Sequence, residues 1–461
     1  MDKNLSRRHF FQKMSGKQQA IPVQDRRDFL KTGALITGST LLGGLPLAKA
    51  ANSLVDDTIK VALIGCGGRG TGAALQALST KQNVKLVAMA DAFRDRLDEA
   101  YKAITADDVS EGNGGSVKHR VDVPEGRKYV GFDAYKKAME HADVVILTTP
   151  PGFRPAHFEE AIRMGKHVFM EKPVATDAPG IRKVLEVAEM AKQKKLNVVV
   201  GLQRHYQTVY RKWMDMLHEG AIGDIVAGRV YWNGGGVWVK ERKAGMSEME
   251  YQMRNWYYFN WLCGDHIVEQ HVHNLDVGNW VKQAYPVRAH GIGGRQIRVG
   301  KDFGEIFDHH VVEFEYADGS RMYSQCRHQA GTRESVTEGF HGTNGSAPEP
   351  GVILTRSGHV IMKHDGRKDP NPYQVEHDEL FEAIAKGEFK FKDAENGAKS
   401  TMTAILGRLA SYSGQLVEWD AALHSNISLF PEKLDWNASP KVLPGKDGMY
   451  ACAVPGSTKV I

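Results

Sequence analysis

Cysteine is scarce in this chain. Only Cys66, Cys263, Cys326 and Cys452 occur in 461 residues. No two of them stand at a CxxC or zinc-knuckle spacing, which excludes a disulfide framework and a Cys-based metal site. Long apolar runs are missing too. None reaches the roughly 18 residues that cross a bilayer, so no stable membrane span is expected in the mature chain. There is no internal repeat and no low-complexity tract. With 42% hydrophobic and 25% charged residues, the collagen-like, disordered and coiled-coil classes fall away. Surplus charge is also lacking once the leader is set aside. The net charge is +5, while residues 1–50 hold five Lys, four Arg and three Asp, a net of +6. A body that close to neutral offers little to a phosphate backbone, so no nucleic-acid partner is expected.

The basic leader reads as an export signal. Asp25-Arg26-Arg27-Asp28-Phe29-Leu30-Lys31 is a twin-arginine pattern, a Gly-rich apolar stretch runs from Ala34 to Leu47, and Ala48-Lys49-Ala50 supplies a small-x-small site. The expectation is a twin-arginine signal peptide over residues 1–50, read by the twin-arginine export machinery and cleaved near Ala50. The mature protein would then work in the periplasm. The alternative is an amphipathic or disordered N-terminal arm. Twin-arginine export carries folded proteins, so free, mostly buried thiols and a cofactor bound before export are expected.

Downstream, Ile59 to Ile64 is a continuous apolar run, as in strands buried on both faces of a parallel sheet. Further strands are expected at Val84 to Ala90, Ala142 to Thr148, His167 to Met170 and Asn197 to Val200, with helical stretches between them. Strands alternating with helices imply a doubly wound parallel sheet, placed at residues 59–200. A polar insertion near Asp107 to Arg120 reads as a surface loop. Beyond Gly201 the strands lengthen and turn signals such as Ala317-Asp318-Gly319 appear. A helix is expected from Gly264 to Val281, with others at Tyr373 to Lys386 and Glu395 to Ser413 packing back on the junction. The fold class is therefore α/β: an N-terminal Rossmann domain, then an α+β domain at 201–425 with an open-faced, mostly antiparallel sheet. Residues 426–461 read as a surface tail. The open sheet face leads to the expectation of a homo-oligomer.

Gly65-Cys66-Gly67-Gly68-Arg69-Gly70 follows the first strand at once. A GxGxxG between a strand and a helix has a physical reading. Gly65 permits the tight turn, Gly67 lets the backbone approach a pyrophosphate, and Gly70 lets helix and strand lie close, with the helix N-terminus facing the phosphates. Asp91 ends the second strand, where a carboxylate accepts from ribose hydroxyls. That favours NAD over NADP, although Arg94 nearby leaves NADP open.

These glycines, together with Thr149-Pro150, Glu171-Lys172-Pro173 and an acidic-x-x-x-His helix, resemble the Gfo/Idh/MocA family of glucose–fructose oxidoreductase, inositol dehydrogenase and their relatives. The resemblance spans nearly all of residues 59–425. It implies a nicotinamide cofactor held between the two domains by Gly65, Gly67, Gly68, Arg69, Gly70, Asp91, Thr149, Pro150, Glu171 and Lys172. It also implies that Lys172 sits beside the nicotinamide and the substrate hydroxyl, with the bond before Pro173 often cis. The family pattern Asp-x-Gly-x-His-x-x-Asp falls on Glu269, His271, His273 and Asp276, and departs from it at Glu269 and His271.

Moving hydride from a carbinol carbon needs a base for the hydroxyl proton. The expected catalytic set is His273, whose ordinary pKa lies near neutrality, Lys172 to stabilise an alkoxide, and Glu269, one helical turn before His273, to orient the imidazole or hold a hydroxyl. Arg204, Tyr206, His271, Trp256 and Tyr258 are expected to contact substrate, the aromatic rings by packing on sugar C–H faces. His266 shares the face of Glu269 and His273. Helical His/Glu faces are usually not metal sites, and no metal is expected. The leading functional reading is an exported oxidoreductase with a tightly bound nicotinamide cofactor acting on a sugar or polyol. A glycoside hydrolase working by transient oxidation, elimination and re-reduction is the alternative, and a non-catalytic sugar- or nucleotide-binding protein is a third.

Overall fold

A computed structural model describes residues 57–107 and 116–461. The twin-arginine motif and the core of the polar insertion lie outside the described residues.

The first sheet has six parallel strands. They are β1 (Ile59–Ile64), β2 (Val84–Asp91), β3 (Lys128–Val130), β4 (Val144–Leu147), β5 (His167–Met170) and β6 (Val198–Val200), in the order β3-β2-β1-β4-β5-β6. This is the order of a dinucleotide-binding sheet, in which ligands bind beyond the strands' carboxyl ends where the order reverses. The reversal falls between β1 and β4. The continuous apolar runs are explained by burial: Val61 to Ile64 and Val144 to Leu147 are all at most 1% exposed, with helices on both faces.

A second sheet of nine strands follows: β7 (Ile225–Gly234), β8 (Arg288–Gly294), β9 (His309–Glu315), β10 (Arg321–His328), β11 (Ser335–Gly342), β12 (Gly345–Glu349), β13 (Val352–Thr355), β14 (Val360–Lys363) and β15 (Val417–Glu418). Its neighbours pair antiparallel except β7 and β10, which run parallel. Along β9 and β10, buried and exposed residues alternate, so one face is packed and the other open. The packed face is covered by helices at Val272–Lys282 and Ala394–Ser413. The open face presents Ile292, Val311, Tyr323 and Val336. Cys66, Cys263 and Cys326 are buried, and all four cysteines are free thiols.

One feature departs from the sequence reading. The expected single helix from Gly264 to Val281 is broken into His266–Glu269 and Val272–Lys282, with His271 N donating to His266 O across the break. The C-terminal 426–461 segment packs onto the body. Tyr450 is buried, and Trp436 lies with its ring centroid 4.4 Å from Phe132 and 5.0 Å from Phe93.

The strand-to-helix turn after β1 shows why glycine is needed. Gly65 has φ +95°, and a Cβ on Gly70 would lie 2.0 Å from the Gly65 carbonyl oxygen. The Gly65 oxygen belongs to the backbone, so side-chain repacking does not relieve this clash. Gly70→Ala is expected to lower unfolding free energy by about 1–3 kcal/mol, read as a shift of the urea midpoint at unchanged m-value.

Candidate active site

A cleft of about 730 Å³ runs along the carboxyl ends of the first sheet and under the second. Helix α1 (Gly68–Leu78) begins at its floor. The N-cap, Gly67, places no side chain over the first turn, and a Cβ at Gly67 or Gly68 would meet nothing within 4 Å. A concave, side-chain-free surface at a helix N-terminus is a cradle for a pyrophosphate. At the end of β2, each oxygen of the Asp91 carboxylate takes one backbone N–H, Oδ2 from Cys66 at 2.6 Å and Oδ1 from Phe93 at 2.8 Å. Its remaining lone pairs face the cleft. The residues present fit a dinucleotide with its pyrophosphate over Gly67–Gly68 and its adenosine ribose at Asp91.

Charges around this cradle are paired. Arg69 contacts Glu171 and Glu376, donates from Nη1 to Gln76 at 2.8 Å, and lies 4.8 Å over the Tyr373 ring. Thr149 accepts at its carbonyl from Arg154 at 2.7 Å. Arg154 is fully buried, and desolvation brings its guanidinium down to about 10. Pro150 completes this wall.

The reacting end is built by Lys172, Glu269 and His273, all on the cleft wall. The Lys172–Pro173 bond is cis. Lys172 Nζ donates to the backbone oxygen of Glu269 at 2.6 Å and ion-pairs with its Oε1 at 3.3 Å. The helix break puts Glu269 on the lysine, so the expected orienting contact from Glu269 to His273 is replaced by this one. His273 stacks on Trp232, centroids 6.0 Å apart. Burial, reinforced by the charges of Lys172, Arg204 and Arg69, holds its imidazole well below its ordinary pKa. The same burial favours the neutral, proton-accepting form of the ring.

Of the expected substrate contacts, Trp256 lines the cleft. The other four point elsewhere. Arg204 is buried against Glu338, Tyr206 donates to Asp393 at 3.0 Å, and Tyr258 donates to the Trp238 carbonyl at 3.0 Å. His271 packs against Ser324 with Nε2 at 2.8 Å from the hydroxyl. Each is a long polar side chain satisfied within the core, a distinction that sequence position does not carry. Gln270, one residue earlier, takes the cleft position instead of His271. His266 does not line the cleft, so His266, Glu269 and His273 do not converge. Arg94 is turned outward onto Asp98 and Glu125, and Arg96, two residues on, lines the cleft instead. Sequence reasoning also missed Phe93, Phe132, Tyr135, Arg154, Lys240, Arg254 and Tyr373. The sole signal for Arg154 was its place just after Pro150-Pro151, in the turn that follows β4.

Comparison with known proteins agrees with this geometry. Residues 59–202 match the Gfo/Idh/MocA model, described as an oxidoreductase family with an NAD-binding Rossmann fold. Among curated relatives, a glycosyl hydrolase family 109 protein of Shewanella pealeana is 23% identical over 367 residues, covering 76% of this chain and 70% of that one. Inositol 2-dehydrogenase of Serratia proteamaculans is 25% identical over 373 residues, covering 78% and 96%. Among solved structures, aldose-aldose oxidoreductase from Caulobacter crescentus superposes with a TM-score of 0.60 at 16% identity, over 78% of this chain and 99% of that one. Scyllo-inositol dehydrogenase from Lactobacillus casei, solved with NAD(H) and scyllo-inositol, gives 0.57 at 18%, over 79% and 99%. The fold is thus a Rossmann domain with a second, sheet-bearing half.

Arg204 gives a stability test. Glu338→Ala leaves its guanidinium buried without a counter-charge, and a loss of about 3–5 kcal/mol is expected in denaturant unfolding.

Proposed function

We propose that this protein is an exported, NAD-dependent oxidoreductase that moves hydride between its nicotinamide cofactor and a carbinol carbon of a sugar or polyol. The observation that carries the reading is the convergence of the phosphate cradle with Lys172, Glu269 and His273 in one cleft. The similarity to inositol 2-dehydrogenase supports the substrate class.

NAD supplies the hydride acceptor when bound. The chain's own residues do the rest. The neutral imidazole of His273 accepts the hydroxyl proton as the carbon is oxidised. The Lys172 ammonium, fixed on the Glu269 carbonyl, faces the oxygen on which negative charge develops, in a site largely closed to water. Trp232, Trp238 and Trp256 give apolar faces to a sugar ring, while Gln270 and Lys240 offer polar contacts to its hydroxyls.

Tight cofactor binding and export belong to the same proposal. A periplasmic enzyme has no nicotinamide pool to exchange with, so the cofactor must stay bound and be re-reduced or reoxidised in place. The adenosine end supports retention. Phe93 is covered on one side by Trp436 and on another by Arg254, whose guanidinium lies 4.0 Å from the ring centroid. Asp91 favours NAD, while Arg96 keeps NADP in play. A second copy of the chain on the open face of the nine-stranded sheet completes the reading.

The glycosyl hydrolase family 109 relatives support one alternative, in which the oxidised sugar eliminates its glycosidic substituent and is then re-reduced. A free oxidised sugar product supports the dehydrogenase, and cofactor-dependent glycoside cleavage without one supports the hydrolase.

The decisive experiment is acid release of nucleotide from purified protein, followed by a screen of sugars and glycosides read by nicotinamide absorbance. Bound NAD is expected, and protein that is empty and shows no affinity for either pyridine nucleotide overturns the proposal. Lys172→Ala is expected to lower kcat by about 10²–10⁴-fold, and unchanged turnover removes its assigned role. For pH dependence the sign follows from the depressed His273 pKa. A lowered pKa moves its titration to the acid side of the free imidazole, so kcat/KM is expected to show no imidazole inflection near neutrality from this group. An imidazole inflection near 6.5 that His273→Asn abolishes contradicts the assignment.

A further inference from the structure

Behind the cleft, outside its lining, a second cluster of side chains has no role in hydride transfer. The side chains of Asp265, His266 and His310 are each 0% exposed, and one potential ligand atom from each lies within 4.8 Å of the others. Oδ1 of Asp265 is 2.8 Å from His266 Nδ1 and 3.3 Å from His310 Nε2. His328 stacks on His266 with centroids 4.4 Å apart.

Hydrogen-bond accounting shows what these groups lack. His310 Nδ1 is 2.8 Å from the Ser411 hydroxyl, whose own hydrogen goes to the Arg408 carbonyl at 3.1 Å. Ser411 therefore accepts from Nδ1–H, and His310 Nε2 is left with a bare lone pair directed toward a carboxylate oxygen. His328 Nε2 lies 2.6 Å from the Gln270 amide oxygen. It must donate there, which leaves its buried Nδ1 a lone pair without a partner. His266 Nδ1 faces Asp265 Oδ1 at 2.8 Å, and its Nε2 is buried without a partner. The other Asp265 oxygen, Oδ2, is held by Phe307 N at 3.0 Å and by the Tyr412 hydroxyl. Asp265 itself sits at φ +74°, ψ 160°, a region nearly confined to glycine that persists only where the surroundings over-determine it. Asp265 Oδ1 thus accepts from the His266 backbone N–H and faces two imidazoles, while the lone pairs on His310 Nε2 and His328 Nδ1 are buried without a donor. Buried acceptors without donors are costly, and a cation supplies what they lack.

We propose that Asp265, His266 and His310, with His328 as fourth ligand, bind a divalent transition-metal ion of the zinc type. Imidazole nitrogens and one carboxylate are a borderline-soft donor set suited to zinc and its first-row neighbours rather than to Mg²⁺ or Ca²⁺. Zinc bonds nitrogen and oxygen at about 2.0–2.2 Å, which places two ligands up to about 4 Å apart, so side-chain adjustments of under an ångström close the site. Ser411 on His310 and Gln270 on His328 are the outer partners that fix the ligand tautomers, as around metal-bound imidazoles generally. The ion would be structural. It pins the break between His266–Glu269 and Val272–Lys282, and through His328 and Gln270 it fixes the segment that presents Glu269 to Lys172. The site differs from a His266, Glu269 and His273 set, whose members do not meet.

The test measures metal by mass spectrometry on purified protein from cells grown with added Zn²⁺. About one ion per chain is expected, and Co²⁺ exchanged in its place should show the visible bands of a four-coordinate site. Chelation should lower Tm and Zn²⁺ should restore it. His310→Gln and Asp265→Asn should lose the ion, and the same nucleotide-release assay reports separately on the cleft. Background metal content in wild-type protein, with no Tm response to Zn²⁺ or Co²⁺ after chelation, overturns the proposal whether or not the variants fold.

Discussion

The contact on which the site depends is the one between Lys172 and Glu269. Lys172 stands just past β5, in the Rossmann half, and Glu269 is the last residue of a one-turn helix in the other half. The lysine donates to the glutamate's backbone oxygen as well as to its carboxylate. A carbonyl at the end of a helical turn is an unsatisfied acceptor, so this bond fixes the direction of the ammonium and ends the turn at once. Had the helix continued unbroken from Gly264, that carbonyl would have been used within it. The break is what frees it for the lysine.

The same logic runs through the charges lining the cleft. Arg69 is held by Glu171 and Glu376, and Arg154 by Thr149 and the Glu171 carbonyl. None of these cations has to be recruited when a ligand enters. Groups fixed in advance act on developing charge without reorganisation, and in a buried setting their influence is less screened than in water. The depressed pKa of His273 follows from burial first, and then from this environment, because a proton on that ring would join Lys172, Arg204 and Arg69.

Much of this was legible in the sequence, for identifiable reasons. Strands β1, β2, β4, β5 and β6 and the glycine turn follow from local patterns: an apolar run, a glycine between strand and helix, an acidic residue at a strand end. Lys172, Glu171, Thr149 and Asp91 sit immediately after strands, where chain direction alone delivers them to the cleft. Residues after the sixth strand were not legible. Arg204 and Tyr206 follow the same rule of position, yet Glu338 and Asp393, more than a hundred residues away, draw them into the core. His271 was misplaced by the assumption of one continuous helix. A π-like turn at the break rotates the register, so Gln270 faces the cleft and His271 faces β10. Trp436 could not have been placed at all, since nothing local ties it to Phe93.

The balance between the two redox chemistries also turns on pairing. Both begin by oxidising a carbinol, but elimination needs a further base to take a proton from the carbon next to the new carbonyl. Among the described carboxylates and imidazoles that line the cleft, Asp91 is held by two backbone N–H groups, Glu171 by Arg69, Glu269 by Lys172, and His157 by Thr149. His273 makes no such contact, and its Nδ1 is buried without a partner. Simple hydride transfer uses one base, and His273 is the least committed of these groups. For the elimination route, Glu269 would have to leave Lys172, giving up the ion pair that positions the ammonium for the first step. The pairing that makes the cleft ready for oxidation is therefore the feature that weighs against its going further.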